Sequence, residues 1–208
     1  MSIKDAYNSW AVQYDSNNNK TRDLESIALQ NTLKDIHFNN CLEVGCGTGK
    51  NTAWLIKKAK YLMAVDLSEE MLKRAKEKVI SNNIEFTQAD ITRSWSFGDK
   101  DYDLITFSLV LEHIADLDHV FSEAGKLLHS DGYLYLGELH PFKQYSGTKA
   151  RYDTEAGTQI VECYNHNVSD FIQAGKKHGL SVIDLNEYFD NDDRNSIPRI
   201  LTIFFQKQ

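Results

Sequence analysis

The sequence predicts an open α/β sheet in one domain, and three observations carry that expectation. Short apolar runs alternate with amphipathic stretches along the chain, the order that builds a mostly parallel sheet covered by helices. One run opens into the turn Gly45-Cys46-Gly47-Thr48-Gly49, and two later runs close on the acids Asp66 and Asp90. At 208 residues, with 41% hydrophobic and 11% aromatic content, the chain can bury one substantial core.

Taken in order, Asp5, Ala6, Trp10, Ala11 and Tyr14 fit a first amphipathic helix. The run Ser16-Asn17-Asn18-Asn19 breaks it, and Thr21 opens a second helix through Leu24, Ile27, Ala28 and Leu33. Strands are expected near 41–45, 61–66, 84–88, 102–107 and 132–138, with a final pair near 180–187 and 199–206. Helices are expected between them near 49–58, 69–82, 116–128 and 168–178. Ser68 caps the second of these, with Glu69 and Glu70 in its positive first turn and lysines further along.

The glycine turn has its own chemistry. Gly45, Gly47 and Gly49 remove every second side chain, so a ligand can lie against the backbone, and the following helix would point its first amides at it. The spacing Gly-x-Gly-x-Gly fits neither the dinucleotide fingerprint nor the phosphate loop, since Lys50 is followed by Asn51. Asp66 falls about twenty residues past the glycines, where a carboxylate accepts from ribose hydroxyls. Asp90 is placed to accept from the exocyclic amine of a purine.

Net charge is −7, which disfavours nucleic-acid backbones and offers no polybasic membrane patch. No apolar run reads as a signal peptide or a bilayer span, and Cys41, Cys46 and Cys163 have no metal spacing. Cytoplasmic location and a monomer or weak homodimer are the corresponding expectations. Cys46 reads either as a nucleophile beside the turn or as a small apolar filler.

Four pieces in order, Glu43-Val-Gly-Cys-Gly-Thr-Gly49, Ala64-Val-Asp-Leu-Ser-Glu-Glu-Met-Leu72, Gln88-Ala-Asp90 and Tyr102-Asp-Leu-Ile-Thr-Phe-Ser-Leu-Val-Leu-Glu-His-Ile114, resemble the class I S-adenosylmethionine-dependent methyltransferases, in the small-molecule, type 11-like branch. The resemblance covers residues 38–140. It implies a Rossmann-like three-layer sandwich with a seven-stranded, mostly parallel sheet and an antiparallel last strand. It also implies a helical lid at 1–37, a cofactor core at 38–140 and a C-terminal helix and strand pair at 168–208.

The same resemblance implies that the backbone at Gly45, Cys46 and Gly47 approaches the methionine part of S-adenosylmethionine, with Glu43 acting through water near its amino group. Asp66 would hold the ribose, and Leu67 and Met71 would pack near the adenine. Asp90 and Ile91 would read and cover that base, while Ser108 and Leu109 line the sulfonium side. Tyr14 would lie beside the methionine end, and Arg22 would meet the cofactor carboxylate or stand as a solvated helix-start charge. No metal is implied.

Residues 141–167 are too long and polar for a minimal connection and fall at the carboxyl ends of the strands, where such sheets bind ligands. They are expected to build the acceptor pocket, with Tyr145, Arg151 and Tyr152 among its residues. Lys143, Lys149, Arg151 and Arg199 hint at an anionic acceptor, or are solvated surface charges. Methyl transfer gains most of its rate from proximity, and an oxygen or nitrogen acceptor that needs a base points to His140, His166 or His113. Each has a structural alternative: a turn at His140, a loop bond at His166, a cofactor wall at His113. The absence of an Asn/Asp-Pro-Pro-aromatic turn and of a cysteine after the fourth strand sets aside adenine, glutamine and cytosine C5 methylation. O- or N-methylation of a small molecule leads, with C-methylation open. A noncatalytic cofactor sensor is the rival reading, and a nicotinamide-dependent oxidoreductase stands third.

Overall fold

A computed structural model describes residues 2–16, 18–98, 101–154 and 157–208. Asn17, part of the expected helix break, lies outside them. Strands β1 (Asn40–Val44), β2 (Tyr61–Asp66), β3 (Ile84–Gln88), β4 (Tyr102–Ser108) and β5 (Leu128–Leu139) are followed by the hairpin β6 (Arg151–Thr154) and β7 (Gly157–Ile160), then β8 (Leu180–Tyr188) and β9 (Ile200–Lys207). The main sheet has seven strands in the order β3-β2-β1-β4-β5-β9-β8. β9 runs antiparallel to both β5 and β8, and the other pairings are parallel.

Alternation along the strands assigns side chains to two faces. Cys41, Leu62 and Leu104 pack with Leu29, Leu33 and Leu55, which come from α2 (Lys20–Leu33) and α3 (Thr52–Leu55). Leu42, Val65 and Phe107 face the other way onto Val120, Phe121 and Phe171, from α5 (Leu117–Leu127) and α7 (Val168–Lys177). These are the three layers of the expected sandwich. α4 (Glu69–Lys78) carries α1 (Ile3–Trp10) on its outer side, where Met71 is buried among Ala6, Trp10 and Ala11.

Four local expectations change. The helix expected at 49–58 is the single turn α3, because Gly49 has φ +83° and bonds three residues apart, such as Trp54 N–H to Asn51 O at 2.9 Å, interrupt the four-apart ladder. α4 stops at Lys78 rather than near 82: Val79 turns extended at φ −117°, ψ 101°, and the β-branched pair Val79-Ile80 disfavours a further turn. β5 begins at Leu128, running into the strand through a register shift opposite Tyr102 and Leu104 with Asp131 at φ +64°. The segment 141–167 holds the short helix α6 (Pro141–Tyr145) and the β6–β7 hairpin, whose sparse apolar content hides its strands.

Chain order reverses between β1 and β4: β2 and β3 extend to one side of β1, and β4 returns on the other. That switch point leaves a crevice at the carboxyl ends of the two strands, between Gly45 and Ser108.

Candidate active site

The crevice is a cleft of about 120 Å³ bounded by the glycine turn, Asp66, Asp90 and the segment after β4. Gly45 has φ +77°, and a Cβ there would lie 2.0 Å from Val110 Cγ2. No other residue fits, so backbone rather than side chain faces the cleft. Asp66, at the end of β2, is held by two amides, Gly47 N–H to Oδ2 and Ser68 N–H to Oδ1, both at 2.8 Å. Burial raises its pKa against the lowering effect of those bonds. Asp90 accepts from the Thr92 amide at 3.0 Å and hydroxyl at 2.6 Å and pairs with Arg93 at 3.2 Å; these bonds outweigh partial burial and hold its carboxyl below the usual range. Leu67, Ile91, Ser108 and Leu109 complete the lining named in the sequence.

Beneath the cleft, three carboxyls are buried. Burial pushes Glu25 up to about 7 and both Glu43 and Glu138 up to about 8. Glu43 accepts from Thr52 Oγ1 at 2.5 Å. Glu25 takes Asn51 Nδ2 at 2.9 Å and Tyr135 Oη at 3.1 Å, and Asn51 also donates to Ser108 Oγ at 3.3 Å. Glu138 Oε1 accepts the Val110 and Leu111 amides, each at 2.9 Å. This bond fixes the strained turn at Leu109, a non-glycine residue at φ +57°, and the 3-10 turn Leu111–His113 behind it.

A second cavity of about 740 Å³ opens beside the first. Tyr7, Tyr14 and Leu109 line both and form the wall between them. Its far side is built by Arg151 and Tyr152 of the hairpin, and Tyr152 stacks on Trp10 with centroids 5.4 Å apart at 16°. Arg22 also lines it, its guanidinium 4.2 Å over the Tyr14 ring and donating to the Tyr14 carbonyl.

The remaining residues singled out in the sequence lie elsewhere. Cys46 packs inward with Ala64 and Leu72, and Met71 is fully buried under α1; among the described residues neither lines a cavity. Tyr145 is 58% exposed and donates to Asn167. His140 caps α6, accepting the Phe142 amide at Nδ1 (3.1 Å), with Nε2 at 2.9 Å from Glu187; burial lowers its pKa against the opposing pull of Glu187. His166 is buried, its Nε2 at 2.7 Å from the Ile114 carbonyl. Of the three histidines, only His113 lines a cavity. Lys143 lies 3.9 Å from Asp190, which Arg199 also grips through Nε and Nη2.

The sequence reading passed over Tyr7, Trp10 as a cavity residue, Glu112 and Lys20, all of which line the larger cavity. A signal for Tyr7 was present, since Tyr7, Trp10 and Tyr14 follow one helical stripe. Tyr7 Oη is 2.7 Å from His113 Nε2, and His113 Nδ1 is 2.7 Å from the Glu162 carbonyl. A carbonyl only accepts, so Nδ1 carries the proton and Nε2 receives the Tyr7 hydroxyl. Burial, reinforced by nearby Tyr14 and Glu112, raises the Tyr7 pKa well above its ordinary value and keeps it a phenol. Among the described residues no cluster of three or more His, Cys, Asp or Glu is arranged to hold a metal, and no helix is long and apolar enough to cross a membrane.

Comparison with known proteins agrees with this geometry. Residues 42–136 match a family model described as a methyltransferase domain. An uncharacterized methyltransferase of Emericella nidulans is 25% identical, over 88% of this chain and 77% of that protein. The demethylmenaquinone methyltransferase of Bacteroides fragilis is 32% identical over 52% of this chain and 46% of that protein, so the match spans about half the length of that relative. Among solved structures, an S-adenosylmethionine dependent methyltransferase from Listeria monocytogenes superposes with a TM-score of 0.76 at 25% identity, covering 89% of this chain and 99% of that one. The N-methyltransferase NodS from Bradyrhizobium japonicum, in complex with S-adenosyl-L-homocysteine, shares the fold with a TM-score of 0.74 at 17% identity, covering 100% and 99%. The residues present fit the S-adenosyl cofactor that the two structures' names carry, because Gly45 keeps the cleft floor free of side chain and Asp66 and Asp90 stand at strand ends beside it. Residues 42–136 thus match a methyltransferase domain, and fold and cleft together are those of an S-adenosylmethionine-dependent methyltransferase.

Proposed function

We propose that the protein methylates an oxygen or nitrogen of a small molecule bound in the 740 Å³ cavity. S-adenosylmethionine supplies a methyl group on a sulfonium, open to in-line displacement. Asp66 would hold its ribose, Asp90 and Ile91 its adenine, and the Gly45–Gly47 backbone its methionine part, with Ser108 and Leu109 on the sulfonium side. The single observation that carries this reading is that Tyr7, Tyr14 and Leu109 line both cavities, so that an acceptor in the larger one would lie beside the cofactor cleft, as a reaction driven by proximity requires.

His113 is the base this arrangement favours, acting through Tyr7. A hydroxyl or ammonium proton passed to Tyr7 Oη lets the Tyr7 proton move to His113 Nε2, already within 2.7 Å. Tyr7→Phe should then lower kcat by about a hundredfold or more, the usual worth of a positioned proton acceptor, with S-adenosylhomocysteine affinity nearly unchanged. An equal loss in both readouts would assign Tyr7 to binding alone.

The reading is tested by incubating the protein with methyl-labelled donor and small-molecule extracts, then following label by mass. A labelled product of low mass supports it. Tight S-adenosylhomocysteine binding with no labelled product from any extract would favour a sensor instead.

A further inference from the structure

We propose that the acceptor is a small anion whose carboxylate or phosphate is held by Lys20, Lys149 and Arg151 at the rim of the 740 Å³ cavity, leaving its nucleophile toward the Tyr7–Tyr14–Leu109 wall. This rests on the reading of that cavity as the acceptor site.

The charge is local and against the trend of the chain. The whole protein has 23 Lys and Arg against 30 Asp and Glu, yet the cavity lining carries five basic residues and the single acid Glu112. Burial raises the pKa of Glu112. Arg199, which lines the same cavity, is matched by Asp190, as Lys50 is by Asp23, Lys78 by Asp15 and Lys177 by Asp118 elsewhere. Among the described residues no carboxylate lies within ion-pair distance of Lys20, Lys149 or Arg151, although Lys20 is near enough to Asp190 to help lower its pKa.

Lys149 and Arg151 come from one run entering β6, and Lys20 from the start of α2. Tertiary structure brings the two segments to one concavity. A second observation is independent of charge. Trp10 lines the same cavity and is 5% exposed, and its indole N–H has no acceptor among the described residues. That group only donates, and an acceptor oxygen of the ligand, anionic or neutral, would satisfy it once within reach. Arg offers a planar fork suited to either oxyanion and Lys a point charge, so the site chemistry is shared by carboxylates and phosphates.

The test is calorimetry on protein saturated with S-adenosylhomocysteine, titrated in parallel with inorganic phosphate, benzoate and uncharged benzamide. Phosphate or benzoate should bind and benzamide at least tenfold more weakly, and the preferred anion distinguishes the two sources. The double substitution Lys149→Ala and Arg151→Ala should weaken anion binding at least tenfold while S-adenosylhomocysteine affinity stays unchanged, which also reports that the variant is folded. Absence of anion binding, equal binding of benzamide, or retained anion affinity in the double variant overturns the proposal. So does a labelled extract product without an anionic group, which leaves methyl transfer itself standing; failure of S-adenosylhomocysteine to bind strikes the functional reading instead.

Discussion

Gly45 is where one residue decides the most. Its left-handed φ of +77° and the 2.0 Å approach of Val110 to the position of a Cβ mean that Gly45→Ala incurs both backbone strain and overpacking. A loss of about 2 kcal/mol or more is expected in urea titration, with weaker S-adenosylhomocysteine binding. Asp66→Asn keeps the shape but loses the charge and one acceptor facing the amides of Gly47 and Ser68. Its S-adenosylhomocysteine affinity should fall about tenfold to a hundredfold, the range of a charged hydrogen bond, and an unchanged affinity would remove Asp66 from the ribose site. Both residues were legible in the sequence because their signals are local: glycine spacing, and an acid closing an apolar run. Glu138 and the Tyr7–His113 pair were not, since their partners lie 28 and 106 residues away and nothing in a linear pattern marks such a meeting. His140 and His166 illustrate the converse, because a histidine among loop residues looks the same in sequence whether it faces a cavity or closes a turn.

At the scale of elements, α1 is the piece whose placement governs access. Tyr7 and Tyr14 close over a cleft of about 120 Å³, well below the roughly 300–1,000 Å³ of ligand pockets, so admitting a nucleoside requires α1 to shift. It packs on α4 through Met71 and on the hairpin through the Trp10–Tyr152 stack, and the Tyr7–His113 and Asn8–Ser68 bonds are those a shift would break. Hydrogen exchange of the amides in residues 3–14 should therefore be fast in the free protein and slow on adding S-adenosylhomocysteine; protection that is equal with and without ligand would exclude a moving lid. The helices and strands with strong periodicity were readable, down to the Ser68 cap that accepts the Met71 amide at 3.1 Å. The one-turn α3 and the β6–β7 hairpin were not, because Gly49 breaks a segment of otherwise helical composition and the hairpin packs through the isolated apolar residues Tyr152 and Val161 rather than through an apolar run.

For the whole molecule, the buried carboxyls tie stability to pH. Glu25 at about 7 and Glu43 and Glu138 at about 8 are raised above the ordinary value of 4.5, so the folded state binds more protons than the unfolded chain between these limits. Their contribution is fully present below about pH 4.5 and is lost as pH rises through 7 to 8. The urea midpoint should drop between pH 5.5 and 8.5, by on the order of a few kcal/mol of stability, and Glu138→Gln should flatten that drop. The architecture gathers these acids, the glycine turn and the strand-end aspartates at one switch point of the sheet, and it sets the larger cavity across a three-residue wall from them. A crystal structure with S-adenosylhomocysteine tests that arrangement most directly. The expected result has ribose on Asp66, adenine beside Asp90 and Ile91, and the sulfur facing the wall of Tyr7, Tyr14 and Leu109; a sulfur turned away from the 740 Å³ cavity, or a ligand bound outside the cleft, would contradict it.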